Sequence, residues 1–419
     1  MIVKNSLTYV YGLPVNKTKM GNTSSRGRII STEKTPQQPQ GPPYPGPSAE
    51  YFFLNTEVSI SAHIRLFVTS NTMITTDIDN YYPLLARKYE EGFRLLTFYR
   101  IPDVVRQKGI SLSNPTVTSP FQGIFCCYPA VQSSEWWQLK VEKSTLVTQN
   151  IHKGLISFSM TQGTVSDTSH LYQTIVNNTQ DGSRLVCLEM TGDLKGQGYR
   201  AARRGISPVM GVDLFFEVPT TPTMERYVYQ CVPIPINVEY SISFGSSGIH
   251  VDCDWNGHLG GFLSQGWRLV EIFMDKSIQY QQHGFSSSGA HNSVWFFEKP
   301  ASCIENPTPV YQGMVVDHWM KVVGGLGGTH AKTNWEPVIQ QFGSQGWELA
   351  CILETPEVER AGLISIKRKM LLFFQRHILP PLGSTPYVPG MHMPAGPDPN
   401  TYDLSRQEPP PPYAEASKH

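Results

Sequence analysis

One kind of segment occurs four times in this chain, and it limits the possible folds more than any figure of composition. "LLARKYEEGFRLLTFYRIP" (84–102), "HLYQTIVNNTQDGSRLVCLEM" (170–190), "HLGGFLSQGWRLVEIFM" (258–274) and "EPVIQQFGSQGWELACILETP" (336–356) share one order. Each reads as a short amphipathic helix, a glycine and a strand. A repeated unit of this size predicts an architecture built by stacking or pairing copies of itself.

The glycines (Gly92, Gly182, Gly266, Gly346) stand where a helix ends and the backbone must turn left-handed, a conformation that costs glycine no Cβ clash. An aromatic follows in three copies (Phe93, Trp267, Trp347), with Ser183 in the second. A leucine comes two residues later (Leu95, Leu185, Leu269, Leu349). That spacing places both side chains on one face of a strand, pointing into one core.

A polar loop and a second apolar strand come next: "FQGIFCCYP", "GVDLFFEVP", "SVWFFEKP" and "KMLLFFQRHILP". A further strand leads each unit, as in "YVYQCVPIPINVEY" and "YQGMVVDHWMKVV". The unit is therefore β-α-β-β. Tryptophan-bearing leaders, "EWWQLKV" and "DHWMKVV", open the second and fourth copies, which groups the units into two homologous halves, 50–220 and 226–380. The expected fold class is α+β, with mixed sheets and helices packed on one face, because one unit has too few strands to stand alone.

Residues 35–47 and 380–419 are rich in proline, glutamine and serine, and 1–49 and 381–419 are read as disordered tails. The 34 basic and 34 acidic side chains cancel and only 16% of residues are charged, which argues against a nucleic-acid partner held by a general positive field. The seven cysteines are odd in number, scattered and mostly within apolar runs, as expected of reduced, buried thiols in the cytosol. No apolar run approaches the roughly 20 residues of a membrane-spanning helix, and the first fifteen residues are too broken for a secretory leader.

The third and fourth units, with "YQCVPIPINV" ahead of them, resemble the raftlin family. The likeness is carried by "GFLSQGWRLVEIF", "SVWFFE", "VVDHWMKVV" and "FGSQGWELACILETP", and more weakly by "KYEEGFRLL" in the first half. Raftlins are lipid-raft-associated proteins anchored by N-terminal acylation. The resemblance implies a non-catalytic adaptor on the cytoplasmic face of the cell membrane, with cytoplasmic and endosomal pools. Its settings would be raft organisation, receptor signalling and receptor trafficking, so receptors and the endocytic machinery are implied partners. It supplies no catalytic residue, cofactor or metal.

Four short stretches give that implication chemistry. "MGNTSSRG" (20–27) would be a myristoylation signal at Gly21 if Met20 were the initiator, with residues 1–19 an upstream extension. The family pattern sets a cysteine beside this glycine, where the chain has Asn22. A single myristoyl chain binds membranes only weakly, so a second contact is needed. The candidates for contact with an anionic inner leaflet are Arg26 and Arg28, then Arg200, Arg203 and Arg204 in "KGQGYRAARR", and Lys367, Arg368 and Lys369 in "IKRKM". Both basic stretches are read as loops at corresponding places in the repeat, where each basic residue near the surface would add about 1 kcal/mol. Near the other end, Pro410, Pro411 and Tyr413 form a PPxY motif of the kind read by WW domains, including those of ubiquitin ligases.

Other readings compete with this one. The chain could be a soluble module that recruits WW-domain proteins, or a carrier of lipid or another small ligand in a cavity lined by "VWFF" and "LLFF". "GGLGGTH" (324–330) lacks the lysine of a phosphate loop, and His250, Cys253, Asp254 and His258 match no strong metal spacing. "YYPLL" (81–85) imitates a sorting signal, but it opens the first repeat helix and its leucines are expected in the core.

Overall fold

The computed structural model describes residues 44–379, apart from 64–71, 105, 108–115, 130–136, 150–163, 168, 198–208, 244–245, 284–285, 326–327 and 363. Each unit turns out to be ββαββ. The first comprises β1 (Glu50–His63), β2 (Thr72–Thr76), α1 (Tyr82–Glu90), β3 (Arg94–Arg100) with the short β4 (Arg106–Gln107), and β5 (Thr116–Cys127). The second comprises β6 (Trp137–Gln149), β7 (Thr164–Asp167), α2 (Ser169–Asn178), β8 (Arg184–Gln197) and β9 (Val209–Pro219). The third comprises β10 (Tyr227–Ser243), β11 (Ser246–Asp252), α3 (Trp255–Leu263), β12 (Arg268–His283) and β13 (Ser286–Pro300). The fourth comprises β14 (Tyr311–Gly325), β15 (Gly328–Lys332), α4 (Glu336–Gly343), β16 (Glu348–Arg360) and β17 (Ser365–His377).

All described strand pairings are antiparallel, and the four units repeat one strand order: β2-β1-β5-β3, β7-β6-β9-β8, β11-β10-β13-β12 and β15-β14-β17-β16. The last strand in each of these lists lies innermost. β3 touches β8, β8 touches β12, β12 touches β16, and β16 touches β3. Four small sheets thus close around an axis like the blades of a propeller. Backbone pairing continues between blades at two seams, β2 with β8 and β15 with β4.

This corrects the α+β expectation. The fold is mostly β, its sheets are not mixed, and both faces of every sheet are covered. Each helix is wedged between its own sheet and the next one. Leu85 and Tyr89 of α1 pack with Phe98 and Phe125 of the first unit and with Cys187 and Phe215 of the second. α2 does the same between the second and third units, and α3 between the third and fourth. Trp335, Ile339 and Phe342 at α4 close the circle by packing with Leu372 and Phe374 on one side and Leu96 and Ile124 on the other.

The double aromatics have a physical reason in this arrangement. Neighbouring residues of a strand point to opposite faces, and here both faces are dry. Phe215 enters the core of the first seam and Phe216 that of the second, while Phe373 and Phe374 divide in the same way between the third and fourth. The repeat glycines are left-handed as expected, with φ of +86° at Gly92, +88° at Gly182, +82° at Gly266 and +76° at Gly346.

Candidate functional site

The inner strands all carry a bulge at the same place, between Leu95 and Thr97, Leu185 and Cys187, Leu269 and Glu271, and Leu349 and Cys351. A bulge removes one residue from the ladder, so an N–H must find another acceptor. The leucine amides solve this with side chains. Leu95 donates to Tyr89 Oη at 3.2 Å, Leu185 to Tyr229 Oη at 2.8 Å, Leu269 to Gln375 Oε1 at 3.0 Å, and Leu349 to Tyr51 Oη at 2.8 Å. In the second and fourth units that tyrosine comes from the leading strand of the following unit, so the acceptor also stitches the seam.

The residue just ahead of each of these leucines carries charge: Arg94, Arg184, Arg268 and Glu348. Together with Glu217 and Glu298 they form a circuit around one end of the axis. Arg94 Nε donates to Glu217 Oε2 at 2.8 Å, and Arg184 lies 3.7 Å from the same carboxylate while also binding Glu298. Arg268 bridges Glu298 at 2.9 Å and Glu348 at 2.5 Å. Tyr128 Oη completes the passage back to the first unit, donating to Glu348 Oε2 at 2.9 Å. Every seam is therefore crossed by one charged or polar bond of this circuit.

The signs balance because the fourth unit departs from the others. It has Glu348 where they have arginine, and Gln375 where the second and third have Glu217 and Glu298. Burial works against the charge on Glu348, but Arg268 outweighs it and holds the carboxyl at about 2. Glu298 is likewise lowered, burial being overcome by Arg184 and Arg268. Burial also opposes the charge on Arg94, which Glu217 nevertheless raises.

Deeper along the axis the residues that resume pairing after each bulge, Thr97, Cys187, Glu271 and Cys351, make a second layer. The Phe98 amide and the Thr97 hydroxyl reach the Cys187 sulfur, the amides of Ile272 and Leu188 reach the Glu271 carboxyl, and the Ile272 amide reaches the Cys351 sulfur. Burial pushes the Glu271 carboxyl well above the usual carboxylate range despite these donors. Burial, followed by the neighbouring Glu271, likewise raises both thiols.

Both layers were missed by the sequence reading. Their signal was present in "GFRLL", "GSRLV", "GWRLV" and "GWELA", but the charged position falls between the two packing residues that define the strand face. Chemically, the circuit can fix the order and register of the blades, since a shifted blade would bury an unpaired charge.

Of the sites expected from sequence, Gly21, Arg26, Arg28, Arg200, Arg203, Arg204, Pro410, Pro411 and Tyr413 lie outside the described residues. "IKRKM" is not a loop, since it lies within β17. Arg368 is only 3% exposed, and its guanidinium is bound to Asp103 and, at 2.8 Å, to Glu354. The side chain is thus enclosed among its partners, an outcome of the alternation of a strand. Lys369 is bound to Asp317 at 3.1 Å and Glu357 at 3.0 Å, while Lys367 is part-exposed.

His250, Cys253, Asp254 and His258 are given separate tasks. Asp254 caps α3 by accepting from Gly257 N at 3.0 Å, and His250 faces Glu357 at 3.6 Å. Leu85 is buried as expected of "YYPLL", whereas Leu84 is 46% exposed. The aromatics of "VWFF" and "LLFF" pack into the seam cores. An open cleft of about 310 Å³ lies beside α1, lined by Tyr89, Glu90, Trp137 and Leu139. Among the described residues no helix is long and apolar enough to cross a membrane.

The family model for raftlin matches residues 136–384, which is more than half of the chain and takes in the second, third and fourth blades. Raftlin of Mus musculus is 27% identical over 171 residues, 41% of this chain and 29% of that protein. Raftlin of Homo sapiens is 25% identical over 201 residues, 48% of this chain and 33% of that protein. Raftlin of Gallus gallus is 27% identical over 166 residues, covering 39% and 25%. The chain thus spans a third or less of the relatives it matches, and no solved structure matches it. The first blade, outside the family match, repeats the strand order, bulge and capping glycine of the other three; on the match across those three, this chain belongs to the raftlin family.

Proposed function

We propose that this chain is a non-catalytic, membrane-associated adaptor of the cytoplasmic leaflet, acting in raft organisation and in receptor signalling or trafficking. The observation that carries this reading is the family match, together with the raft association expressed in the relatives' name. Myristate on Gly21 of a chain begun at Met20 would provide the attachment, with Arg26 and Arg28 beside it at an anionic surface. The basic stretch bearing Arg200, Arg203 and Arg204 is the stronger candidate for the second contact, because Arg368 is enclosed and Lys369 is already paired. Pro410, Pro411 and Tyr413 would recruit a WW-domain protein such as a ubiquitin ligase.

The test is sedimentation with phosphatidylserine vesicles of protein produced from Met20 alongside an N-myristoyltransferase. The acylated chain should pellet with the vesicles, Gly21→Ala should stay in the supernatant, and Arg200, Arg203 and Arg204 all changed to glutamine should weaken the pelleting. Equal pelleting of the acylated chain and Gly21→Ala would refute the lipid attachment.

A further inference from the structure

The structure assigns a peptide-binding site beside the C-terminal end of α4, occupied in this chain by its own residues Tyr44–Ala49. The Tyr44 hydroxyl donates to the carbonyl of His377 at 3.1 Å, and the Arg376 guanidinium lies over the Tyr44 ring at 4.4 Å and over Trp347 at 4.2 Å. Further along, Ala49 N donates to Gly343 O at 2.9 Å, and Tyr51 Oη donates to Trp347 O at 2.9 Å. The segment is thus gripped at both ends, by a cation, an aromatic ring and backbone carbonyls.

Two glycines make the fit selective. A Cβ on Gly346, in the wall of the site, would meet the Tyr44 ring at 2.3 Å, and a Cβ on Gly46, within the bound segment, would also meet that ring at 2.3 Å. The ligand class is therefore a peptide that bends at a glycine two residues after a tyrosine. The prolines on either side of Gly46, Pro45 and Pro47, have no N–H that must be satisfied. The PPxY segment around Tyr413 has Glu415 at the glycine position and does not fit.

The other blades show why this occupant is exchangeable. At the same cap in the second unit, Gly182 is covered by Pro219, Thr223 and Glu225, which join β9 to β10. In the third unit Gly266 is covered by Thr308, which joins β13 to β14. Those linkers are covalently held at both ends. Residues 44–49 take the linker's place at the fourth seam but no linker ties them to β17, so they can leave the site while the blades stay joined.

The experiment titrates the synthetic peptide PPYPGPSA into the full chain carrying Tyr44→Ala, by calorimetry. Saturable one-site binding is expected there, with binding at least about tenfold weaker to the unaltered chain, whose own segment competes. Adding Arg376→Ala, or replacing the peptide's glycine by valine, should weaken binding at least about tenfold, and PPPYAEA should not bind. In case Tyr44→Ala fails to fold, amide exchange at Ala49 of the unaltered chain gives an independent reading. Millimolar PPYPGPSA should accelerate it about tenfold or more, and a scrambled peptide should not. No binding to a folded Tyr44→Ala chain, binding indifferent to Arg376 or the glycine, or unchanged exchange at Ala49 would each overturn the assignment.

Discussion

The seam between the fourth and first blades and the seam between the third and fourth do the same job with different means. The third–fourth seam has a covalent linker, and no backbone pairing joins its sheets among the described residues. It relies on Arg268 with Glu348, the Gln375 amide with Leu269, Val251 N with Glu357, and Asn256 with Val315 N. The fourth–first seam lacks a linker. In compensation, β15 pairs with β4, Arg368 binds Asp103, Trp335 Nε1 donates to Gln122, and residues 44–49 dock at α4. A ring closed without a covalent joint needs more contacts there than at its other seams, since loop closure no longer holds the partners near each other.

The largest test of this contrast is to remove the buried charge at the seam that lacks backbone pairing. Arg268→Met leaves Glu298 and Glu348 facing each other at low exposure and should cost about 3–5 kcal/mol in urea unfolding. Arg94→Met removes a partner that is 39% exposed and leaves Arg184 near Glu217, so its cost should be about 1 kcal/mol. Equal costs would mean that burial does not govern the circuit.

Acid should open the ring in two stages. Burial holds His377 at about 4, below its unfolded range, so unfolding takes up a proton and stability falls as pH drops from about 6.5 towards 4. Glu348, at about 2, contributes fully above about 4.5 and loses that contribution as pH falls towards 2. His377→Gln should flatten the upper stage and Glu348→Gln the lower one, as read from unfolding free energy against pH. Glu271 works in the opposite direction. Its raised pKa stabilises the fold below about 4.5, and this is lost as pH rises. Glu271→Gln should therefore gain on the parent with rising pH and show no such gain at pH 4.

The smallest effect compares capping glycines. Gly92→Ala should cost about 1 kcal/mol from its positive φ alone. Gly346→Ala carries the same strain and also displaces Tyr44, so its melting temperature should fall further. Tyr44→Ala should abolish that difference.

The repeat, its capping glycines and the packing pairs Trp267 with Leu269 and Trp347 with Leu349 were legible in the sequence, because each follows from local geometry. The extra strand in each unit was not, since β2 and β15 are five residues each and β7 only four, and carry little periodicity. Burial of both sheet faces was written in Phe215–Phe216 and Phe373–Phe374 but was read as one-sided packing. The axial charges were invisible for a different reason. Arg94, Arg184 and Arg268 look like solvated strand residues until a ring of blades turns that side inward. "IKRKM" misled in the opposite sense, as a basic run whose central Arg368 is internal.

The central claim is that four blades form one closed, cooperative ring. Native-state amide exchange in rising urea tests it most directly, with the amides of β3, β8, β12 and β16 followed together. The ring predicts that all four inner strands converge on a single opening free energy and denaturant slope. Two separate values, one for 50–220 and one for 226–380, would contradict it and leave two independent halves.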